Sequence, residues 1–209
     1  MKYKAVLIDF DNTMIGTEKY NFRLFKETIS GLIGRELTSE DRKNFDGHTW
    51  KGIFQILSEQ YLPEMKPEDI RKVFVDAKSN FFNGGSAPLA AGLDDVLALD
   101  IKKGIVTGSS RAEVNMFAHC IDLSAFDIIA TDELYDKGKP APDGYLYAAN
   151  ELGFEPGECL CVEDSFIGLK SAKSAGCVTV FTREFADEDH SGIADFTVEC
   201  MSEVVDLLR

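Results

Sequence analysis

Six short apolar runs constrain the fold of this chain more than any other feature of its sequence. Several of them are continuously apolar and rich in β-branched residues, which is typical of strands that are covered on both faces of a sheet. The runs span 3–10, 103–108, 126–131, 159–164, 178–182 and 194–198. Segments with helical spacing lie between most of them or follow the last one, over about 110–119, 142–153, 165–175 and 201–208. Strands that alternate with helices predict an α/β fold with a doubly wound parallel sheet.

One long interval, between the first run and the second, interrupts this alternation. It contains no convincing strand. Its apolar side chains recur at helical spacing in three segments, 17–33, 50–61 and 67–82. An interval of this length is too long to be a loop. We therefore predict an all-helical cap domain over 16–86, inserted into an α/β core domain that comprises 1–15 and 87–209.

The composition limits the partners of the protein. Its formal net charge of −14 creates a field that repels nucleic acid and anionic membranes. No apolar run approaches the ~18 residues of a membrane span, and the first residues lack the pattern of a signal peptide. The five cysteines form no CxxC pair, so we expect reduced thiols and a cytoplasmic location. No pattern indicates an oligomeric state, so it is left open, with a monomer as one possibility.

Polar and charged residues follow four of the predicted strands, at the point where each strand ends or shortly after it. They are Asp9, Asp11, Thr107, Lys139, Glu163 and Asp164, and Gly108 comes directly after Thr107. Each has an ordinary structural explanation when taken alone, such as an aspartate that caps a turn or a lysine on the solvated surface. Open parallel sheets, however, bind ligands at the carboxyl edge of their strands, and these residues occur there in order. Together they predict a site of acids, a hydroxyl and a lysine.

These segments resemble the motifs of the haloacid dehalogenase (HAD) superfamily, in its helical-cap branch of small-metabolite phosphatases and sugar phosphomutases. The pattern DxDxT falls at 9–13, and the segments GKPAPDGYLYAANELG at 138–153 and CVEDSFIGLKSAKSAG at 161–176 match two further motifs. With the hydroxyl of Thr107, the resemblance covers essentially the whole chain. It implies a Rossmann-like core with a helical cap, and a Mg²⁺-dependent phosphatase that forms an aspartyl-phosphate intermediate.

The resemblance also implies roles for the residues that act on the phosphoryl group. Asp9 is similar to the nucleophile, whose carboxylate attacks phosphorus and forms an acyl phosphate. Asp11 is similar to the general acid and base, which protonates the leaving oxygen and then activates water. Thr107 and the N–H of Gly108 resemble the phosphate cradle, and Lys139 resembles the cation that balances Asp9 and the transferred group.

The same motifs imply a magnesium site. Asp164 resembles its main additional carboxylate ligand, alongside Asp9 and the backbone carbonyl of Asp11. Oxygen ligands of this kind, together with a substrate phosphate, suit Mg²⁺. Glu163 is expected behind these ligands or bound through a water molecule. The metal and the lysine together would offset the repulsion that a net charge of −14 exerts on a phosphorylated metabolite.

Two activities remain open within this branch. In the sugar phosphomutases a lysine precedes the cap-loop glycine and an arginine follows it, where they hold a second phosphate, and a histidine lies in the first cap helix. This chain has Asp46 and Trp50 on either side of Gly47, and Asn21 in the helix. These departures favour a phosphatase that acts on a small phosphorylated metabolite. The neighbouring Lys51 could replace the missing charge, which keeps a β-phosphoglucomutase-type activity as the alternative.

The cap loop is the expected source of substrate contacts, through Gly47, His48 and Trp50. Exposure of His48 to solvent and hydrophobic packing of Trp50 are the alternative interpretations. A binding or regulatory module without catalysis is less favoured, because such a module would usually have lost the nucleophile or the metal-binding acid.

Overall fold

The computed structural model describes residues 2–45, 48–82 and 87–209. The chain divides into two compact units, one formed by Met1–Thr17 with Ala87–Arg209 and the other by Glu18–Ser86. The domain boundary predicted after residue 15 lies two residues before the boundary of these units. Among the described residues, no helix is long and apolar enough to cross a membrane, and the five cysteines are free thiols.

The first unit is built around a six-stranded parallel sheet. Its strands are β1 Ala5–Ile8, β2 Lys102–Val106, β3 Ile128–Ala130, β4 Cys159–Glu163, β5 Val178–Thr182 and β6 Phe196–Val198. Their order across the sheet is β3-β2-β1-β4-β5-β6. The order reverses between β1 and β4, which is the place where open α/β sheets bind their ligands. The predicted doubly wound parallel sheet is confirmed.

The central strand β1 lies between β2 and β4, and this position determines where the residues after β1 are placed. All four of its residues are fully buried, as expected for a parallel strand between two neighbours and two helical layers. Ile8 pairs with Ile105 of β2 on one side and with Val162 of β4 on the other. The chain therefore leaves β1 between the carboxyl ends of β2 and β4.

Helices occupy the connections. Those of the second unit are α1 Glu18–Ile33, α2 Ser39–Lys43, α3 Trp50–Ile56, which continues as a π-helical turn over Leu57–Tyr61, and α4 Pro67–Phe82. Those of the first unit are α5 Leu93–Leu97, α6 Arg111–Asn115, α7 Asp143–Leu152, α8 Phe166–Ala175 and α9 Met201–Leu208. As predicted, the described residues between β1 and β2 form no strand.

Two helices of the first unit differ from the prediction. Helix α6 was expected to reach about residue 119, but the turns beyond its end are closed by tighter bonds, such as Phe117 N to Val114 O at 3.1 Å. Helix α5 was not predicted, because five residues are too few for a periodic pattern. It begins after Gly92, which has a left-handed φ of 84° and passes so close to Ser202 that a Cβ would lie 2.4 Å from the serine Cβ.

The second unit has an aromatic core. Phe25 of α1 packs edge-on against Phe45, Trp50 and Phe74, with ring centroids 5.5–5.7 Å apart. Trp50 in turn stacks on Phe74 at 5.2 Å and on Phe54 at 6.0 Å. Such pairs stabilise a core beyond the area that they bury, so these rings hold α1, α3 and α4 together.

Candidate active site

The segment after β1 turns sharply and carries two acids. Asn12 has a left-handed φ of 59°, a conformation that asparagine tolerates better than most residues. The turn is closed by hydrogen bonds from Met14 N to Phe10 O at 3.0 Å and from Asn12 N to Ile15 O at 2.7 Å. It leaves the buried Asp9 directly at the end of the central strand.

Lys139 contacts residues at the carboxyl ends of β1, β2 and β4. Its Nζ lies 2.5 Å from Asp9 Oδ1, 2.5 Å from Glu163 Oε1 and 3.0 Å from the backbone oxygen of Val106. An ammonium group has three hydrogens to donate, and these three acceptors account for all of them. The structure therefore brings the predicted Asp9, Lys139 and Glu163 into one buried cluster, in which the lysine is fully engaged by the protein.

The charges of this cluster depend on one another. Burial raises the pKa of Asp9 from 3.8 to about 7, with Lys139 opposing the shift and Glu163 adding to it. Burial acts to lower the pKa of Lys139, but the carboxylates of Asp9 and Glu163 outweigh it and raise that pKa well above its ordinary range. Lys139 thus stays charged, while the ionised form of Asp9 needs further positive charge nearby to be strongly favoured.

Asp11 faces a different set of partners. Thr17 Oγ1 donates to its Oδ1 at 2.5 Å, and Ser109 Oγ donates to its Oδ2 at 2.7 Å. Both side-chain oxygens of Asp11 therefore accept a hydrogen bond from a hydroxyl. Two hydroxyls therefore orient Asp11 at the same edge of the sheet as Asp9.

An acidic cluster at this edge has the donor set of a hard metal ion. Carboxylate oxygens of Asp9, Glu163 and Asp164 lie within 4.8 Å of one another, and all three residues are buried. Glu163 Oε1 already accepts from Lys139 and from Tyr145. Asp164 Oδ1 accepts a longer bond of 3.3 Å from Thr13 Oγ1. Oxygen donors of this type suit Mg²⁺, and Glu163 Oε1 is the most heavily engaged of these oxygens, because it accepts from both Lys139 and Tyr145.

The end of β2 is followed by Thr107 and Gly108, the residues expected to bind the phosphate. Thr107 is buried, and its Oγ1 accepts from Ser109 N at 3.0 Å. Its backbone oxygen accepts from the hydroxyl of Tyr135 at 2.6 Å. A Cβ placed on Gly108 would meet no atom within 4 Å. The backbone beside Gly108 is therefore open, while the residues around it are held in place.

The cap-loop residues divide into described and undescribed ones. Trp50 is 37% exposed and belongs to the aromatic core of the second unit, which supports its interpretation as a packing residue. His48 and Lys51 are exposed. Asp46 and Gly47 lie outside the described residues, so the departures from the mutase pattern at these positions stay predictions.

Several hydroxyls of the site were not identified from the sequence. Ser109 follows a predicted strand directly, and its position at the carboxyl edge was the available signal. Tyr135 and Tyr145 carried no comparable signal, because their partners lie in other segments of the chain and are brought near only by the fold. Thr17 is close to Asp11 in sequence, but no pattern indicated that the turn between them would bring the two side chains together.

The chain is similar to known proteins in both sequence and fold. The sequence profile described as haloacid dehalogenase-like hydrolase matches residues 6–182. An uncharacterized hydrolase of Saccharomyces cerevisiae is 30% identical in an alignment of 217 residues that covers 99% of this chain and 91% of that protein. The fructose-1-phosphate phosphatase of Escherichia coli is 25% identical over 186 residues, covering 87% of this chain and 97% of that protein. The fold is also similar to that of a CbbY mutant from Rhodobacter sphaeroides, solved as a crystal structure in complex with xylulose-(1,5)-bisphosphate. The TM-score is 0.82, the sequences are 25% identical, and the match covers 96% of both chains.

Proposed function

Because this chain belongs to the haloacid dehalogenase-like hydrolases, we propose that it is a phosphatase that hydrolyses the phosphoric monoester of a small metabolite. The observation that carries the proposal is the buried Asp9 at the end of the central strand, with the Lys139 ammonium 2.5 Å from its Oδ1. The relative named a fructose-1-phosphate phosphatase and the structure that holds xylulose-(1,5)-bisphosphate support a sugar phosphate as the first substrate class to test.

The reaction follows from the two acids after β1. The Asp9 carboxylate attacks phosphorus and forms an aspartyl phosphate, while the bond from phosphorus to the ester oxygen breaks. Asp11 gives its proton to that oxygen, so the alcohol leaves neutral. Asp11, now ionised, then takes a proton from a water molecule that attacks the same phosphorus, and inorganic phosphate and free Asp9 are released. Thr17 and Ser109 bind the two side-chain oxygens of Asp11 and hold the carboxyl group in place for these proton transfers.

Mg²⁺ is the proposed cofactor. The carboxylates of Asp9 and Asp164, with the backbone carbonyl of Asp11, would hold it, and the close grouping of acidic oxygens supports this assignment. When bound, the ion would neutralise charge on the phosphoryl oxygens. Glu163 is proposed to act behind these ligands, since its Oε1 is taken by Lys139 and Tyr145.

The remaining assignments concern the phosphate and the alcohol part of the substrate. We propose that Thr107 and the N–H of Gly108 bind the phosphate, and that the positive charge of Lys139 stabilises it during transfer. We also propose that the unit Glu18–Ser86 is the cap that selects the alcohol part, with His48 as its exposed polar candidate. We also propose that the protein acts in a reducing cytoplasm, which its free thiols support.

The test is release of inorganic phosphate from a panel of monoesters that includes hexose 1- and 6-phosphates, xylulose phosphates, 2-phosphoglycolate and mononucleotides. We expect Mg²⁺-dependent release that EDTA abolishes and that Asp9→Asn lowers by roughly 10³-fold or more. Asp100→Asn makes the same chemical change at an exposed position before β2 and should leave the rate unchanged.

Two outcomes would contradict the proposal. Conversion of β-glucose 1-phosphate to the 6-phosphate, with no phosphate release and only with a bisphosphate primer, would establish the mutase. Absence of turnover on every ester would favour a module without catalysis.

A further inference from the structure

Glu163 is a fully buried carboxylate at the end of β4, with 0% of its surface exposed. Its Oε1 accepts from Lys139 Nζ at 2.5 Å and from the Tyr145 hydroxyl at 2.6 Å. Its Oε2 accepts from Ser165 Oγ at 3.3 Å. A buried carboxylate is strongly disfavoured unless its oxygens are bound in this way, so these donors decide where the group sits.

The backbone at the start of α8 packs against the Glu163 carboxylate. Gly168 in the first turn of α8 passes so near that a Cβ on it would lie 2.0–2.2 Å from the carboxyl atoms of Glu163. Its N–H is held by Ser165 Oγ at 3.2 Å. The carboxylate therefore lies in a slot between the start of α8 and the ring of Tyr145, and it cannot shift toward α8.

Tyr145 donates a hydrogen bond to Glu163 from the side away from α8. It lies in α7, is 0% exposed and packs among the apolar residues beneath the sheet edge. Burial first, and the Glu163 carboxylate next, raise the pKa of its hydroxyl well above the ordinary value. The hydroxyl thus stays protonated and donates to Glu163. A phenylalanine would fill the same space without that bond.

Glu163 in turn determines the position of Lys139. The lysine divides its three hydrogens among Glu163, Asp9 and the backbone oxygen of Val106, and the last of these is fixed by β2. If Glu163 Oε1 moves, the Lys139 ammonium must move with it or lose that hydrogen bond. Either change alters the direction of the Lys139 hydrogen bond to Asp9.

We propose that Tyr145 is a positioning residue whose hydroxyl fixes the Glu163 carboxylate, and through it holds Lys139 against Asp9. The inference rests on the proposed function, in which Asp9 is the nucleophile. Tyr145 contacts neither Asp9 nor a substrate in this scheme, so its loss should reduce the rate of the chemical step and leave substrate binding nearly unchanged.

The test compares Tyr145→Phe with Tyr3→Phe. Both variants delete one buried hydroxyl from the first unit, but the hydroxyl of Tyr3 has no hydrogen-bond partner among the described residues. Since small displacements of a reacting group can cost up to about a hundredfold in rate, we expect Tyr145→Phe to lower kcat by about tenfold or more, with KM within about twofold. Tyr3→Phe should have the kcat and KM of the wild type.

A double-mutant cycle with Glu163→Gln separates positioning from general destabilisation. If Tyr145 acts through Glu163, the double variant should be no slower than Glu163→Gln alone, because residues in one network are not additive. Additive losses in kcat, or a wild-type kcat in Tyr145→Phe, would overturn the inference. If Glu163→Gln does not fold, the comparison of the two tyrosine variants decides alone. A wild type without turnover on any ester is a separate result, which overturns the proposed function and this inference with it.

Discussion

Asp9 lies in surroundings that disfavour the charge its proposed role requires. Burial raises its pKa to about 7, and Lys139 limits the rise without cancelling it. A carboxylate must be ionised to attack phosphorus. A further positive charge beside Asp9 would favour its ionised form, and the proposed Mg²⁺ would supply that charge.

The raised pKa of Asp9 predicts how the stability of the metal-free protein depends on pH. Between about pH 4 and pH 7 the folded protein holds a proton on Asp9 that the unfolded chain has already lost, since its unfolded pKa is near 3.8. A folded state that binds more protons loses stability as the pH rises. In EDTA we expect the free energy of unfolding contributed by Asp9 to fall over this window.

Urea unfolding at several pH values measures this dependence, with Asp9→Asn as the control. The difference in unfolding free energy between wild type and variant isolates Asp9 from the other titrating groups. As the pH rises from about 4 to about 7, the wild type should lose stability relative to Asp9→Asn. A difference that stays constant, or that moves in favour of the wild type, would show that Asp9 is not held in its neutral form.

At the scale of elements, the short helix α5 depends on a close approach to α9. Gly92 combines a left-handed φ with a backbone that touches Ser202, so a Cβ there would lie 2.4 Å from the serine Cβ. We predict that Gly92→Ala destabilises the protein by about 1 kcal/mol for the backbone conformation alone, and by more because α9 must move away. The measurement is the midpoint of urea unfolding.

Gly31→Ala is the matched control for that variant. Gly31 lies inside α1, and a Cβ on it would meet nothing within 4 Å. Alanine is a better helix former than glycine by up to about 1 kcal/mol, so this variant should be stabilised or unchanged. Equal effects of the two variants would contradict the described packing between α5 and α9.

Strands were easier to predict than short helices, and strand-end residues were easier than their partners. The apolar runs identified all six strands, because parallel strands buried on both faces have a strong pattern of their own. The five-residue helix α5 has no such pattern. Asp9 and Glu163 were visible as acids at strand ends, whereas the Tyr145 bond to Glu163 joins residues 18 positions apart. Contacts of that kind are set by how α7 packs on the sheet, which no local pattern encodes.

The charge of the whole molecule should be visible in its kinetics. A net charge of −14 repels a phosphate ester, and salt screens such long-range repulsion. With Mg²⁺ saturating, we predict that kcat/KM rises when the ionic strength increases from about 10 mM to about 150 mM, while kcat changes little. Steady-state assays in a salt series measure this. A steady fall of kcat/KM would show instead that local cations dominate the approach of the substrate.

In the proposed reaction Asp9 carries the phosphoryl group, and this group can be trapped on the protein. Asp11→Asn should accumulate the intermediate on p-nitrophenyl phosphate, since this ester leaves without an acid but water is no longer activated. After quenching, borohydride reduces an aspartyl phosphate to homoserine, which peptide mass spectrometry locates. We predict homoserine at position 9, and its formation should depend on both the substrate and Mg²⁺. Substrate turnover with an unmodified Asp9, or with the label at another residue, would contradict it.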